Sequence, residues 1–138
     1  MEIEISNNLT ADEYNNLRES IGWKTKDKDL VENAIKNSTI VKKAKIKNKV
    51  VGMARVIGDG IYYLVVDVLV DESYQGKGVG KKLITEIIEE IKSITKEGQT
   101  CFINLISMEG KEEFYEKCGF IKVPFDNTGH CMVKKIEK

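Results

Sequence analysis

Apolar positions change their spacing several times along the chain, and each change predicts an element. Residues 2–5, "EIEI", alternate as a short strand. In "LTADEYNNLRES", Thr10 and Glu13 stand at the spacing of a capping box, and Leu9 and Tyr14 at that of a hydrophobic staple. A helix therefore starts there and ends at Gly22, just before Trp23. "DLVENAIKN" places Leu30, Val31, Ala34 and Ile35 on one face of a second helix. Residues 39–46 and 49–57 are two β-rich runs separated by "KNK", which predicts an antiparallel hairpin. The run "IYYLVVDVLV" is apolar on both faces apart from Asp67 and predicts a central strand covered on both sides. Ile84, Ile87, Ile88, Ile91 and Ile94 follow at threes and fours, the mark of a long amphipathic helix. "TCFINLI", residues 100–106, predicts another buried strand, and "EGKEEFYEKCG" a one-sided helix closed by Gly119. "FIKV" and "HCMVKKI" predict two final strands.

The order β, α, α, β, β, β, α, β, α, β, β predicts an α/β fold, a mixed and mostly antiparallel sheet with helices on both faces. With 138 residues, the chain has room for one ordinary core, so residues 1–138 are expected to form a single domain. A lone proline, Pro124, and the lack of low-complexity stretches give no sign of a linker or repeat.

Charge changes the picture by what it removes. Lysine and arginine total 22, as do aspartate and glutamate, so no overall field draws the chain to nucleic acid or an anionic membrane. Cys101, Cys118 and Cys131 are widely spaced without a CxxC pair, which argues against a disulfide framework and a zinc ribbon; no metal is expected. "MEIEISNN" lacks an apolar leader core and "IYYLVV" is far too short for a membrane span, so a cytoplasmic protein is expected.

Chemistry concentrates in "VLVDESYQGKGVGKKL", residues 68–83, where a buried strand runs through three glycines into a helix. Such a turn offers several backbone N–H groups at the positive end of a helix dipole and suits an anionic ligand. A P-loop is excluded, because Gln75 stands where its first glycine belongs and Lys82 where Ser or Thr should hold magnesium. GxGxxG fails as well, since Lys81 or Leu83 occupies the third glycine position.

The pattern that does match is Q/R-x-x-G-x-G/A, carried by Gln75, Gly78 and Gly80. With its flanks, the stretch resembles the acetyl-CoA-binding motif of the GCN5-related N-acetyltransferase (GNAT) superfamily. "EEFYEKCGF" resembles the second hallmark of that superfamily, and the order of elements matches over nearly the whole chain. "SIGWKTKDKDLVENAIKNS", "VGMARVIGDG" and "GFIKVPFDNTGHCM" are further similar to a small single-domain bacterial branch, with some likeness to plastid and cyanobacterial arylalkylamine N-acetyltransferases.

The resemblance implies acetyl transfer from acetyl-CoA to a primary amine by direct attack in a ternary complex. The rival class is a noncatalytic acyl-CoA-binding module. Acetyl-CoA would lie in a V-shaped gap between Ile61–Val70 and Thr100–Ile106, its pantetheine arm paired with the backbone of Val68, Leu69 and Val70. One N–H at or next to Leu69 would hold the developing oxyanion. Amides from Gly76 through Lys77, Gly78, Val79 and Gly80 to Lys81, with Gln75 at the motif's start, would receive the pyrophosphate. Tyr115 would protonate the departing thiolate, and Asp67, a carboxylate within an apolar strand, would act as base directly or through water. Asp67 serves equally well as a structural group satisfied by backbone N–H groups or Arg55, and Asn104 orders a water or makes a structural hydrogen bond. Tyr14, Trp23 and Tyr62 either wall an acceptor pocket or belong to the core. His130, after "DNTG", fits an exposed turn better than a catalytic base. Glu72, Gln75, Met108 and Lys111 depart from the commoner residues of the family, and Met108 puts one side-chain contact to pantetheine in doubt. The family habit of dimerising makes a homodimer an expectation.

Overall fold

The computed structural model describes all residues, 1–138. They fall into two compact units, Met1–Ile106 and Ser107–Lys138.

The first unit is built on a five-stranded sheet in sequence order, comprising β1 (Glu4–Ser6), β2 (Ile40–Ile46), β3 (Lys49–Gly58), β4 (Tyr62–Val70) and β5 (Phe102–Leu105). The first three pairings are antiparallel and β4–β5 is parallel, which gives the mixed sheet that the patterning predicts. The turn between β2 and β3 passes through Lys47 and Asn48 at positive φ, a conformation that asparagine tolerates well. Helices α1 (Ala11–Ser20) and α2 (Lys28–Lys36) precede β2, and α3 (Val79–Ile94) connects β4 to β5.

Consecutive β2 residues identify the two faces, because side chains alternate along a strand. Lys42 turns to α3 and pairs with Glu90 at 2.6 Å, while Lys43 turns to α1 and pairs with Glu13 at 2.9 Å. The helices therefore lie on opposite faces. On the α1 face, Leu9, Tyr14, Leu17, Val31, Val41, Met53 and Leu69 form one buried cluster. The capping box starts α1 as the sequence predicts, with Thr10 accepting from the Glu13 N–H and Glu13 accepting from the Thr10 N–H. On the other face, Val79, Leu83, Ile84, Ile87 and Ile91 of α3 are buried to 1% exposure or less. Burying each of these aliphatic side chains is worth about 1.5–3 kcal/mol, so this stripe holds α3 firmly against the sheet.

Gly52 sets how closely α3 approaches. A Cβ there would lie 2.9 Å from Val79 Cγ1 and 3.2 Å from both Leu83 Cδ1 and the Leu69 carbonyl oxygen. The missing side chain lets the first turn of α3 rest directly on β3 beside β4.

Two expectations are corrected. β4 is not covered on both faces along its whole length, since Tyr62 and Leu64 are exposed together with Ile57 and Phe102 beside them. Contacts from α1 reach the Leu69 end of that face, and the other end is left bare. The two final strands are also absent: "FIKV" and "HCMVKKI" carry no strand, and Ile121, Val123, Met132, Val133 and Ile136 are exposed. β-propensity is realised only against a ladder partner, and these segments have none. The second unit contains one short helix, α4 (Glu112–Lys117), followed by Gly119 at positive φ. No helix of the chain is long and apolar enough to cross a membrane.

Candidate acyl-CoA site

The site begins with a defect in β4. Met53 stands opposite Leu69 and Arg55 opposite Val66, so Asp67 and Val68 together face Ala54 alone. This is a β-bulge, and Asp67 adopts φ +53° within it. Aspartate is among the few side chains that enter the left-handed region readily. A bulge bends its strand, and the parallel pairing with β5 ends immediately before it, at Val65 opposite Leu105. Residues 66–70 thus run on without a partner strand on that edge. This is the splay that the resemblance implies.

Hydrogen bonding decides which backbone groups face the opened edge. The Asp71 N–H donates to the Val51 carbonyl at 2.8 Å. Peptide groups of successive strand residues point to opposite edges, so Leu69 also turns toward β3, and Val70 turns outward. The outward Val70 carbonyl accepts from the Gln75 side-chain amide at 3.0 Å. The amide next to Leu69, that of Val70, is therefore the one presented on the open edge. Gln75 ties the turn back to the end of β4.

Beyond β4, Asp71 caps a 3₁₀ turn, Glu72–Tyr74, by accepting from the Ser73 N–H at 2.9 Å. Gly76 and Gly78 follow at φ +76° and +87°, and Gly78 is the N-cap of α3. No side chain caps this helix, and its first turn contains no acidic residue. The first bond of α3 runs from the Lys82 N–H to the Gly78 carbonyl at 3.1 Å, and no bond within the chain uses the N–H groups of Gly76 through Lys81. Consecutive donors converging on a helix start form an anion-binding concavity. Gly80 lies inside α3 with helical backbone, so the two glycines that shape the turn are Gly76 and Gly78. Lys77 lies with its ammonium 5.3 Å from the centre of the Tyr74 ring, and Lys49 lies 5.1 Å from the same ring.

Asp67 is held from two directions. Its Oδ2 accepts from the Tyr14 hydroxyl at 2.9 Å and from Arg55 Nε at 2.9 Å. Arg55 Nη1 in turn donates to Ser38 Oγ at 2.9 Å. The network is largely buried, and no buried side-chain nitrogen or oxygen in the chain lacks a partner. Tyr14 is thus a core residue that binds Asp67, not a pocket wall. Trp23 is partly exposed with the Arg18 guanidinium 5.2 Å above its ring, and Tyr62 stacks on Phe102 with centroids 5.9 Å apart. Asn104 is exposed, opposite Leu64.

Burial, then the charge of Asp67 and the hydrogen bond to it, push the Tyr14 hydroxyl up to about 12 from an ordinary value of 10.0. A pKa raised by folding stabilises the fold below the unfolded value, and that contribution disappears as pH rises through the folded one. Stability is accordingly expected to fall between about pH 10 and about pH 12. Urea midpoints across that window should drop more steeply for the native chain than for Tyr14→Phe, and parallel curves would contradict the assignment.

In the second unit, Tyr115 is half-buried, with Phe114 and Phe120 set edge-on at centroid distances of 5.0 and 6.0 Å. Burial, then the neighbouring Cys118, raises its hydroxyl above the ordinary tyrosine range, which keeps it protonated at neutral pH. His130 is exposed.

Sequence reasoning missed two positioning elements, Gly52 under α3 and the bulge at Asp67. A glycine inside a β-rich run was the available signal for the first. For the second, the signal was a lone carboxylate in an apolar strand.

A mixed sheet with an opened strand edge that leads into an amide-lined helix start defines an α/β fold class with backbone donors free at one strand edge and one helix start. The model of the acetyltransferase (GNAT) domain matches residues 37–122, and the chain belongs to this family of acetyltransferases. An N-acetyltransferase of Pyropia yezoensis, the uncharacterized ycf52 protein, is 32% identical over 122 residues, covering 85% of this chain and 68% of that protein. The crystal structure of Staphylococcus aureus SA2161, a probable acetyltransferase, superposes with a TM-score of 0.82 at 27% identity, covering 97% of this chain and all of that one. A GNAT family acetyltransferase of Brucella melitensis, solved in complex with acetyl-CoA, shares the fold with a TM-score of 0.66 at 21% identity over 88% of this chain and 84% of its own.

Proposed function

We propose that this protein transfers an acetyl group from acetyl-CoA to a primary amine within a ternary complex. The observation that supports this most is the bulged edge of β4 leading through a short glycine-containing turn to the uncapped start of α3. Acetyl-CoA supplies an activated thioester. Val68, Leu69 and Val70 offer it a strand edge for the pantetheine arm, and the amides from Gly76 to Lys81 receive the pyrophosphate, with Lys77 and Lys81 as the candidate cations for its oxygens. The Val70 N–H holds the carbonyl oxygen as negative charge develops on it. Both hydrogen bonds to Asp67 fall on Oδ2, so Oδ1 is open to a water that collects the proton of the attacking amine. The resemblance assigns Tyr115 as the acid whose hydroxyl proton goes to the thiolate as the carbon–sulfur bond breaks.

The test is incubation of purified protein with acetyl-CoA, a panel of primary amines spanning arylalkylamines, polyamines, amino sugars and peptides, and a thiol reagent. Amine-dependent release of CoA thiol is expected. Saturable acetyl-CoA binding without turnover on any amine would overturn the enzymatic reading in favour of an acyl-CoA-binding module.

A further inference from the structure

We propose that Tyr14 and Arg55 are positioning residues, which act through Asp67 to hold the β4 bulge in the shape that acetyl-CoA meets. The proposal rests on the acetyl-CoA reading above and names what keeps that edge open. Three elements converge on one carboxylate oxygen: Tyr14 from α1, Arg55 from β3, and Asp67 itself at φ +53° in β4. Left-handed backbone at a residue other than glycine persists where its surroundings over-determine it. Here the surroundings are two 2.9 Å bonds, with Arg55 held in turn by Ser38 after α2. Straightening the bulge would swing Asp67 off both donors and leave the buried Arg55 Nε and the Tyr14 phenol without their acceptor. It would also shift the register of Val68 to Val70 and turn the outward amides away from the open edge. The helices of the α1 face thereby control the backbone that forms half of the site, although neither carries a side chain to it.

Acetyl-CoA titration by calorimetry, together with amide hydrogen exchange, tests this on the full chain. Tyr14→Phe preserves the ring and removes one hydrogen bond, so the dissociation constant for acetyl-CoA is expected to rise by about threefold to tenfold. Exchange in the unliganded protein is expected to quicken over residues 66–70 while the α3 core stays protected, a local change that general loss of stability would not produce. Asp67→Asn keeps an oxygen for Tyr14 and tolerates left-handed backbone, so it should bind acetyl-CoA more tightly than Asp67→Ala. Equal affinity of the native chain, Tyr14→Phe and Asp67→Ala, with unchanged exchange at 66–70, would overturn the proposal. Failure of the native chain itself to bind acetyl-CoA would instead overturn the functional reading, and this role with it.

Discussion

Replacing Gly78 with valine is expected to weaken acetyl-CoA binding by at least about a hundredfold, the loss of two hydrogen bonds to a charged group at about 1.5 kcal/mol or more each. Gly78 adopts φ +87° at the N-cap of α3, where no side chain supplements the backbone donors. A β-branched residue resists that conformation at a cost of about 1–3 kcal/mol, and relieving the strain rotates the amides proposed to receive the pyrophosphate. No atom lies within 4 Å of a Cβ built at Gly78, so the substitution meets no clash inside the protein. The chain should fold, with a lowered melting temperature, and bind poorly. Gly78→Asn separates the two causes, because asparagine accepts left-handed backbone and still adds a side chain beside the ligand. Recovery of binding in Gly78→Asn would assign the defect to strain, and equal loss would assign it to blocked approach. Native affinity in Gly78→Val would move the pyrophosphate off this turn.

Tyr115→Phe is expected to lower kcat by about a hundredfold or more while the dissociation constant for acetyl-CoA changes less than about twofold, the pattern of a lost general acid. The hydroxyl is raised above the ordinary range by burial and then by Cys118, so it remains a proton donor throughout the neutral region. The acid limb of the native rate profile should reflect deprotonation of the amine or its base, and the alkaline limb should lie above the ordinary tyrosine range. In Tyr115→Phe that alkaline limb should vanish along with most of the rate. An unchanged kcat would remove Tyr115 from the chemistry.

Local signals carried most of the fold. The capping box at Thr10, the alternation on either side of "KNK", and the isoleucines of α3 each describe interactions within a few residues, so spacing alone reveals them. The turn at Gly76 and Gly78 was legible for the same reason, since left-handed backbone needs glycine at identifiable positions. Tyr14 was not. It reads equally well as a wall aromatic or a core aromatic, and its bond to Asp67 joins residues 53 apart in sequence. The final strands failed for a related reason: "FIKV" and "HCMVKKI" have strand composition, yet pairing is a property of two segments and not of one.

The sequence by itself determined the elements through α4, the helices on both sheet faces, the glycine-shaped turn and the resemblance to GNAT acetyltransferases, because all of these rest on periodicity and short motifs. Only the tertiary structure decided that Asp67 lies in a bulge clamped by Tyr14 and Arg55, that β5 leaves β4 at Val65, and that Val70 is the residue turned outward beside Leu69. Each of these depends on which strand lies beside which and in what register. A register displaced by one residue would present the opposite set of peptide groups to the ligand, and nothing local in the chain records that choice.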